Sequence, residues 1–406
     1  MSAGVLPMPL RPAARPFVGG GAALTAGLVA GLVGTVLLVI GGLADPRQAF
    51  FSYLIAYTYV LALILGAQAF LLSVHAAGST WPTAVRRLAE AVAAILPLAA
   101  LMSIPIFAGA GHLYPWMHPE RIAREEVRAV VLHKRPLMNL PFVVVRAVIY
   151  FVYFIAVGSA LRRWSLRMDQ PTDAGALAEL KRRFRMLGGG ALPAFGILAT
   201  AASWDWLMSL SPTWYSTMFG LYYLSGGFVT ALAAIALLAV LARRAGYLAE
   251  LNTSHLYALG RMLFAFLIFW AYTAYFQYML SWEANRPPEA EWFWRRSVGG
   301  YGAVGLFVAF GAFGLPFLIL LTYWIKRRAW GIAAVSIWIL ASHYFDVHWI
   351  VAAARDRPGP FSWMDAAAVL CVGGFSVAFG IWRQRGHLLA PIHDPSFARA
   401  MEYQSR

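Results

Sequence analysis

Two long apolar runs in the middle of the chain are separated by the stretch Ala201-Ala-Ser-Trp-Asp-Trp-Leu-Met-Ser-Leu-Ser-Pro-Thr-Trp-Tyr-Ser-Thr-Met-Phe-Gly220. Its single carboxylate, Asp205, lies between Trp204 and Trp206. Trp and Tyr favour the boundary between lipid and water, where an apolar ring and a polar edge are both satisfied. Pro212 suits a tight reversal of the chain. The stretch predicts an interfacial turn between two membrane helices, with Asp205 either functional or capping the next helix.

The composition extends this interpretation to the whole chain. Of the 406 residues, 60% are hydrophobic and 13% are charged, whereas soluble proteins are about half apolar and about a quarter charged. Apolar runs this long and continuous are helices rather than barrel strands, which predicts an all-α polytopic membrane protein. We expect ten spans, at residues 18–43, 49–75, 84–109, 138–163, 188–209, 214–242, 258–282, 299–325, 330–353 and 363–382.

The net charge of +15 is distributed unevenly between the two sides of these spans. The N-terminus, the even-numbered loops with their adjoining span ends, and the C-terminal tail hold 21 Lys and Arg against 7 acids. The odd-numbered loops hold 11 against 10. Because cytoplasmic loops are enriched in Lys and Arg, we expect both termini in the cytoplasm. The basic charge thus indicates orientation and not nucleic-acid binding.

Cysteine usage limits the redox chemistry that the chain can hold. Cys371 is the single cysteine, and no CxxCH motif for covalent haem is present. Any redox centres are therefore expected in partner subunits. The basic, Pro-rich lead has no A-x-A site after the first apolar run, so no cleaved signal peptide is expected.

The third span begins with charged residues close to the apolar slab. Glu90 lies about a turn inside it, and Arg86, four residues earlier, shares its helix face and can pair with it. Glu90 is either half of an interfacial ion pair or a carboxylate through which protons enter. Pro97 and Pro105 are expected to kink this span and to free backbone carbonyls that need other partners.

The fourth span carries Arg146 about two turns from its outer end. A guanidinium keeps its proton, so within lipid it must reach the surface or find a carboxylate. Asp205, at the outer end of the fifth span, is the expected partner.

Polar residues enter the ninth span as His343, Asp346 and His348. His343 and Asp346 are three residues apart, so they share a face and can form a hydrogen bond. His348 points well away from His343, so the two do not clamp a haem. The pair is either a proton relay or a buried link that fixes the bundle.

The seventh span is rich in aromatic side chains. Such a stripe at helical spacing is more often packing than a cofactor pocket. As an alternative, it would form a quinone pocket from Trp270, Tyr275, Tyr278 and Glu283.

Three histidines in the third loop, His112, His118 and His133, follow no metal-ligand spacing. A surface helix is expected over Glu120–Val131 of that loop. A second amphipathic piece, residues 174–185, is expected to be separated from the fifth span by the glycines at 188–190.

Several segments together resemble a known family. The most specific are Ser203-Trp-Asp-Trp-Leu-Met-Ser-Leu210 and Gln277-Tyr-Met-Leu-Ser-Trp-Glu-Ala-Asn285, supported by residues 81–90, 132–142 with Arg146 behind them, 264–272 and 338–349. In these segments the chain resembles the NrfD/PsrC-like membrane subunits of bacterial alternative complex III, of the second, ActF type.

The resemblance implies two four-helix bundles with two peripheral helices. The corresponding division is a cytoplasmic N-terminal lead (residues 1–17), peripheral helix 1 (18–48), a first bundle of spans 2–5 (49–209), a second bundle of spans 6–9 (210–353), peripheral helix 10 (354–382) and a cytoplasmic tail (383–406).

The resemblance also implies a function in the respiratory chain. The chain would be an integral subunit of a quinol:electron-acceptor oxidoreductase in the bacterial inner membrane, holding no cofactor itself. Its partners would be lipids, a homologous ten-helix subunit, and periplasmic subunits with iron-sulfur clusters and haem c. The expected role is docking and candidate proton conduction. The proposed path is formed by Arg86, Glu90, Arg146, Asp205, His343, Asp346 and His348.

Two alternatives remain open. In one, the chain binds quinone or quinol in its own site. In the other it is a stand-alone secondary transporter, which two similar halves would suit, although the sequence shows no evident pair of broken helices.

Overall fold

Ten helices of the computed structural model are long and apolar enough to cross a membrane, and the described residues contain no strand. The structure describes residues 15–170, 173–355 and 359–405. The predicted all-α polytopic membrane protein is confirmed. The spans run over Gly21–Ala44 (span 1), Pro46–Ala76 (span 2), Arg86–Ala108 (span 3), Leu140–Arg167 (span 4), Ala174–Leu210 (span 5), Phe219–Arg244 (span 6), Thr253–Ala284 (span 7), Gly300–Leu321 (span 8), Ala329–Arg355 (span 9) and Trp363–Gln384 (span 10).

The start of span 5 differs from the prediction that glycines divide it from the amphipathic piece. A single helix runs through Ala174–Trp206, so the glycines at 188–190 do not separate the amphipathic piece from the membrane helix. Gly188 instead allows close packing on the end of span 2. A Cβ atom there would lie 2.7 Å from the backbone nitrogen of Ala76. The lack of a side chain serves helix packing here, and the helix itself continues.

Span 3 is kinked, as its prolines predict. It consists of the short helices Arg86–Ala93, Leu96–Met102 and Ile104–Ala108. At the second break the amide of Ser103 bonds to Ala100, so the Ala99 carbonyl is freed, and the Tyr57 hydroxyl donates to it at 3.2 Å. The Tyr53 hydroxyl likewise donates to the Met102 carbonyl at 2.8 Å. Span 2 therefore satisfies two of the backbone carbonyls beside the second break.

Span 8 is also irregular, because a π-helical segment, Val308–Gly314, interrupts it. Spans 3 and 8 are thus both interrupted, a feature that the sequence indicated for span 3 alone. Span 3 is the second helix of the set formed by spans 2–5, whereas span 8 is the third helix of the set formed by spans 6–9. They therefore do not form the matched pair that an inverted-repeat transporter would have.

Spans 2–5 pack on one another, and spans 6–9 do the same. Spans 2 and 6 meet at the centre, where Gly66 and Gly227 bring their backbones together. A Cβ atom on Gly66 would lie 2.1 Å from the Gly227 carbonyl oxygen, and one on Gly227 would lie 2.3 Å from the Ala62 oxygen. Small residues allow this close approach. Spans 1 and 10 pack along each other and against span 2.

Both ends of the described chain lie on one side, here called the terminal face. The amide of Phe17 donates to the His387 carbonyl, and that of Gly386 donates to the Phe17 carbonyl. The tail ends in a short helix, Phe397–Met401, packed on the turn Trp81–Ala84. Most of the expected N-terminal lead, residues 1–14, lies outside the described residues.

The loops that join spans 1 and 2, 3 and 4, 5 and 6, 7 and 8, and 9 and 10 lie on the opposite face. The surface helix expected over Glu120–Val131 begins later and covers Glu125–Lys134. In the central turn, the helix of span 5 ends at Trp206, and span 6 begins at Phe219. The Pro212 carbonyl in that turn accepts a bond from Lys134 Nζ at 2.7 Å.

Candidate functional site

Buried charges gather at the terminal face where span 3 begins. Arg86 Nε lies 3.1 Å from Glu90 Oε1, which confirms the expected pair. Arg86 Nη1 also lies 2.5 Å from Asp394 Oδ2 in the tail, a contact that the sequence did not indicate. Arg87 pairs with Asp169 at 2.9 Å and lies 3.7 Å from Glu90 Oε2. We call Arg86, Arg87, Glu90, Asp169 and Asp394 the terminal cluster.

A cavity of about 210 Å³ opens beside this cluster on the terminal face. Its lining includes His75, Arg86, Lys181 and Asp394. Glu90 lies behind Arg86 and is only 2% exposed. Its Oε2 atom accepts no hydrogen bond from a described residue. The cavity therefore brings solvent to within one side chain of a buried carboxylate that keeps a vacant acceptor.

Asp394 is held in its ionised form by its neighbours. Burial opposes ionisation, but the Arg86 guanidinium and the amide of Ser396 more than offset it, so the pKa of Asp394 lies below its ordinary value. The Ser396 amide donates to Asp394 Oδ1 at 2.7 Å. Lys181 Nζ approaches the same oxygen at 3.6 Å. The tail thus contributes a fixed negative charge to the cluster.

On the opposite face, Arg146 and Asp205 form a two-point ion pair. Arg146 Nε and Nη2 donate to the two oxygens of Asp205 at 2.8 and 2.7 Å, which confirms the expected partner. The Tyr150 hydroxyl donates to Asp205 Oδ2 at 2.9 Å. The alternative in which Asp205 caps the next helix is wrong, because both of its oxygens face span 4. Three donors from span 4 thus hold the Asp205 carboxylate in one position.

The polar residues of span 9 face two different neighbours. Asp346 accepts a hydrogen bond from the Tyr222 hydroxyl of span 6. No hydrogen bond joins Asp346 to His343 among the described residues, contrary to the expected pair. His343 instead packs edge-on to Trp270, with 4.3 Å between ring centroids. Its Nε2 atom is buried without a described hydrogen-bond partner.

A small cavity of about 10 Å³ lies between spans 2, 6 and 9. Tyr59, Tyr223, Thr230, His343 and Asp346 are among the residues that line it. This is about the space that one water molecule needs, and the lining is polar enough to bind it. The cavity therefore links His343 and Asp346 to hydroxyl groups of both halves.

His348, the third candidate in span 9, belongs to a separate group. Its Nε2 atom lies 3.4 Å from Asp365 Oδ2. Ser52 Oγ donates to Asp365 Oδ1 at 2.6 Å. Asp365 also closes the capping box at the start of span 10 with Ser362. The S-x-x-D pattern could have revealed the cap from the sequence, but not the contact with His348.

Along span 2, an apolar layer separates the polar groups near the two faces. On span 2, Thr58 is the last buried polar residue on the side of the opposite face. The next buried polar residue toward the terminal face is Gln68. Ten residues of helix between them correspond to about 15 Å. Gln68 Nε2 donates to the Phe154 carbonyl at 2.8 Å, and its Oε1 has no described partner. The seven candidate path residues are thus not joined into one continuous chain.

The alternative quinone residues do not form one pocket. Trp270 is buried at the helix interface, whereas Tyr275 and Tyr278 are 63% and 49% exposed on the outside of span 7. Glu283 is exposed near the end of that span. Their side chains therefore face different surroundings.

Histidines of the third loop are also dispersed. His112 stacks on Phe50, while His118 bonds to Glu120 at 3.0 Å. Within residues 15–170, 173–355 and 359–405, no group of three or more His, Cys, Asp or Glu is arranged to hold a metal ion.

Comparison with known protein families found no family model that matches this chain, and a search of curated proteins found no matching relative.

Proposed function

We propose that this chain is an integral membrane subunit of a respiratory quinol:electron-acceptor oxidoreductase of the alternative complex III type, and that it conducts protons. The single observation that carries the proton role is Glu90. It is a buried carboxylate with a vacant acceptor atom, one side chain away from a solvent cavity. The oxidoreductase role rests on the resemblance of the sequence segments described above.

In this proposal the terminal face is cytoplasmic, because its segments carry the excess of Lys and Arg. Protons enter through the cavity beside Lys181 and Asp394. Arg86 keeps its own proton and holds Glu90 in place. Glu90 is the group that takes the proton, because its Oε2 atom accepts no hydrogen bond from the described part of the chain.

On the opposite side, Asp346 and His343 are the groups proposed to pass the proton on. Both line the small polar cavity between the halves. Crossing the apolar layer needs water molecules or a change of side-chain position near Gln68. Asp205 has a positioning role in this scheme, because Arg146 and Tyr150 occupy its oxygens.

Electron transfer is assigned to partner subunits that carry iron-sulfur clusters and haem c. The one cysteine, Cys371, and the absence of a CxxCH motif are consistent with this division. A quinone site in this chain receives little support from the geometry, because the aromatic residues of span 7 face different directions.

The experiment that tests the proton role is Glu90→Gln in the purified complex, reconstituted into vesicles. Glutamine keeps the size of the side chain but cannot take a proton. We expect quinol oxidation to continue while proton uptake from the terminal side falls at least tenfold. Glu179→Gln is the matched control, because Glu179 is an acid on the same face whose pairs are with the nearby Arg182 and Arg183 of its own helix. Unchanged proton uptake in Glu90→Gln would refute the proton role.

Membership of a respiratory complex has a separate test. A tag on the tail should recover haem c absorbance and a second polytopic subunit after mild detergent extraction. A colourless product of one subunit would overturn the assignment and favour a transporter.

A further inference from the structure

An open groove of about 730 Å³ lies on the terminal half of span 4, beside the end of span 10. Its apolar part is a stripe on one face of span 4 that includes Val152, Ile155 and Ala156. Val152 is 62% exposed, so this part faces the surroundings of the helix bundle. The polar part contains Arg162 and Arg163 with other basic groups. The volume is within the range of ligand pockets, about 300–1,000 Å³.

Three guanidinium groups line the polar end of this groove, from Arg162, Arg163 and Arg383. None of them makes an ion pair with a carboxylate of a described residue. Arg162 is buried and donates to Gln384 Oε1 at 3.1 Å and to the Arg383 carbonyl. Among the described residues, Arg163 donates to the carbonyl of Ser159, at 3.3 Å. Arg383 Nε is buried without a hydrogen-bond partner among the described residues.

His387 also lines the basic end of the groove, and the nearby positive charges affect its pKa. Burial and the positive charges of Arg162 and Arg87 lower the pKa of His387. The lining of the groove includes no acidic residue. A concentration of like charge near lipid, where charges are weakly screened, is stabilised by a bound anion.

We propose that this groove binds an anionic phospholipid. The phosphodiester lies against Arg163 and Arg383, with Arg162 behind them. One acyl chain lies along the apolar stripe toward Val152, which is eleven residues from Arg163 and therefore about 16 Å away along the helix.

The two parts of the groove explain why the occupant is a lipid and not a free phosphate. A basic pocket between membrane helices on one side of the bilayer recognises acidic headgroups. Free phosphate would satisfy the arginines but would leave the apolar stripe uncovered. Only a molecule with both an anionic head and a hydrocarbon chain covers the whole groove.

The test uses the full chain, with any subunits that copurify, after removal of lipid by detergent exchange. Binding of phosphatidylglycerol and of phosphatidylcholine is measured by native mass spectrometry. Phosphatidylglycerol should bind at least tenfold more tightly. Arg163→Gln with Arg383→Gln should weaken its binding about 25-fold, since each basic residue near the surface contributes about fivefold.

Arg167→Gln is the matched control, because Arg167 lies one turn beyond Arg163 on the same helix, is exposed and does not line the groove. It should bind the lipid like the parent protein. Thermal unfolding of all variants checks that each is folded. Equal binding of the two lipids, or equal binding by the double variant and the control, would overturn the proposal. Displacement of the lipid by millimolar inorganic phosphate would instead indicate a phosphate site and would also overturn it.

Discussion

Replacing Asp394 by asparagine should release the tail from the terminal cluster. Asp394 is buried, and its carboxylate lies 2.5 Å from Arg86 and 3.6 Å from Lys181. Asparagine has nearly the same shape and can still accept the bond from the Ser396 amide. The substitution therefore removes the charge while leaving the packing almost unchanged.

The expected decrease in the free energy of unfolding depends on the ion-pair partner that Arg86 keeps. Removing one partner of a buried ion pair destabilises a protein by about 3–5 kcal/mol, because the other charge stays buried. Arg86 keeps Glu90 at 3.1 Å, so the lower end of that range applies. About 3 kcal/mol corresponds to a decrease in Tm of about 6 °C, at about 2 °C for each kcal/mol in a large chain.

The assay is thermal unfolding of the full chain, with any copurifying subunits, in mild detergent. Limited proteolysis follows the tail directly, because the ring of Tyr403 stacks on Trp81 with centroids 6.0 Å apart in the docked state. Cleavage near residues 394–403 should become faster in Asp394→Asn. Glu402→Gln is the control, since Glu402 is exposed in the same tail.

A double-mutant cycle with Arg86→Gln isolates the contact itself. The two substitutions together should cost less than the sum of their separate costs by at least 1 kcal/mol. If Asp394→Asn unfolds at the same temperature as Glu402→Gln, or if the cycle is additive, the ion pair does not hold the tail and the reasoning is wrong.

Three further changes test the opposite face, the central crossing and the pH response. Arg146→Gln removes two of the three described donor bonds to the buried Asp205 carboxylate, and should lower stability by about 3 kcal/mol in thermal unfolding. Gly227→Val should prevent the two halves from packing, because even a Cβ atom would lie 2.3 Å from the Ala62 oxygen; size-exclusion chromatography should show aggregation. The lowered pKa of Asp394 stabilises the docked tail above about pH 4, and this contribution is lost as the pH falls further, so tail proteolysis should accelerate as the pH is lowered below about 4.

Each of these changes has an internal control. Arg128→Gln removes a partly exposed arginine that pairs with the exposed Glu125, and it should change stability by less than about 1 kcal/mol. Gly373→Val alters a membrane-helix glycine with open space around its Cβ position, and it should fold normally. Asp394→Asn should lack the acceleration of tail proteolysis at low pH. A control that behaves like its test variant would contradict the corresponding prediction.

Local patterns in the sequence were sufficient to predict the spans and two of the ion pairs. The hydropathy of a run depends on that run alone, so ten membrane helices were identifiable. Arg86 and Glu90 are four residues apart on one helix, and their pairing is a property of helix geometry. Arg146 and Asp205 are distant in sequence, but a charge inside lipid needs a partner, and Asp205 was the acid expected at the same depth.

The tertiary structure alone decided the contacts that depend on which helix faces meet. Asp394 joins Arg86 across 308 residues, and Asp365 joins Ser52 across 313. Nothing in the local pattern of either acid marks its partner, because the packing of several helices sets the distance. The same reason explains why Tyr222, and not His343, donates to Asp346: span 6 packs on span 9 and brings the hydroxyl to the carboxylate. The local sequence thus determines which segments form membrane helices, whereas the packing of the whole bundle determines the partners of buried polar groups.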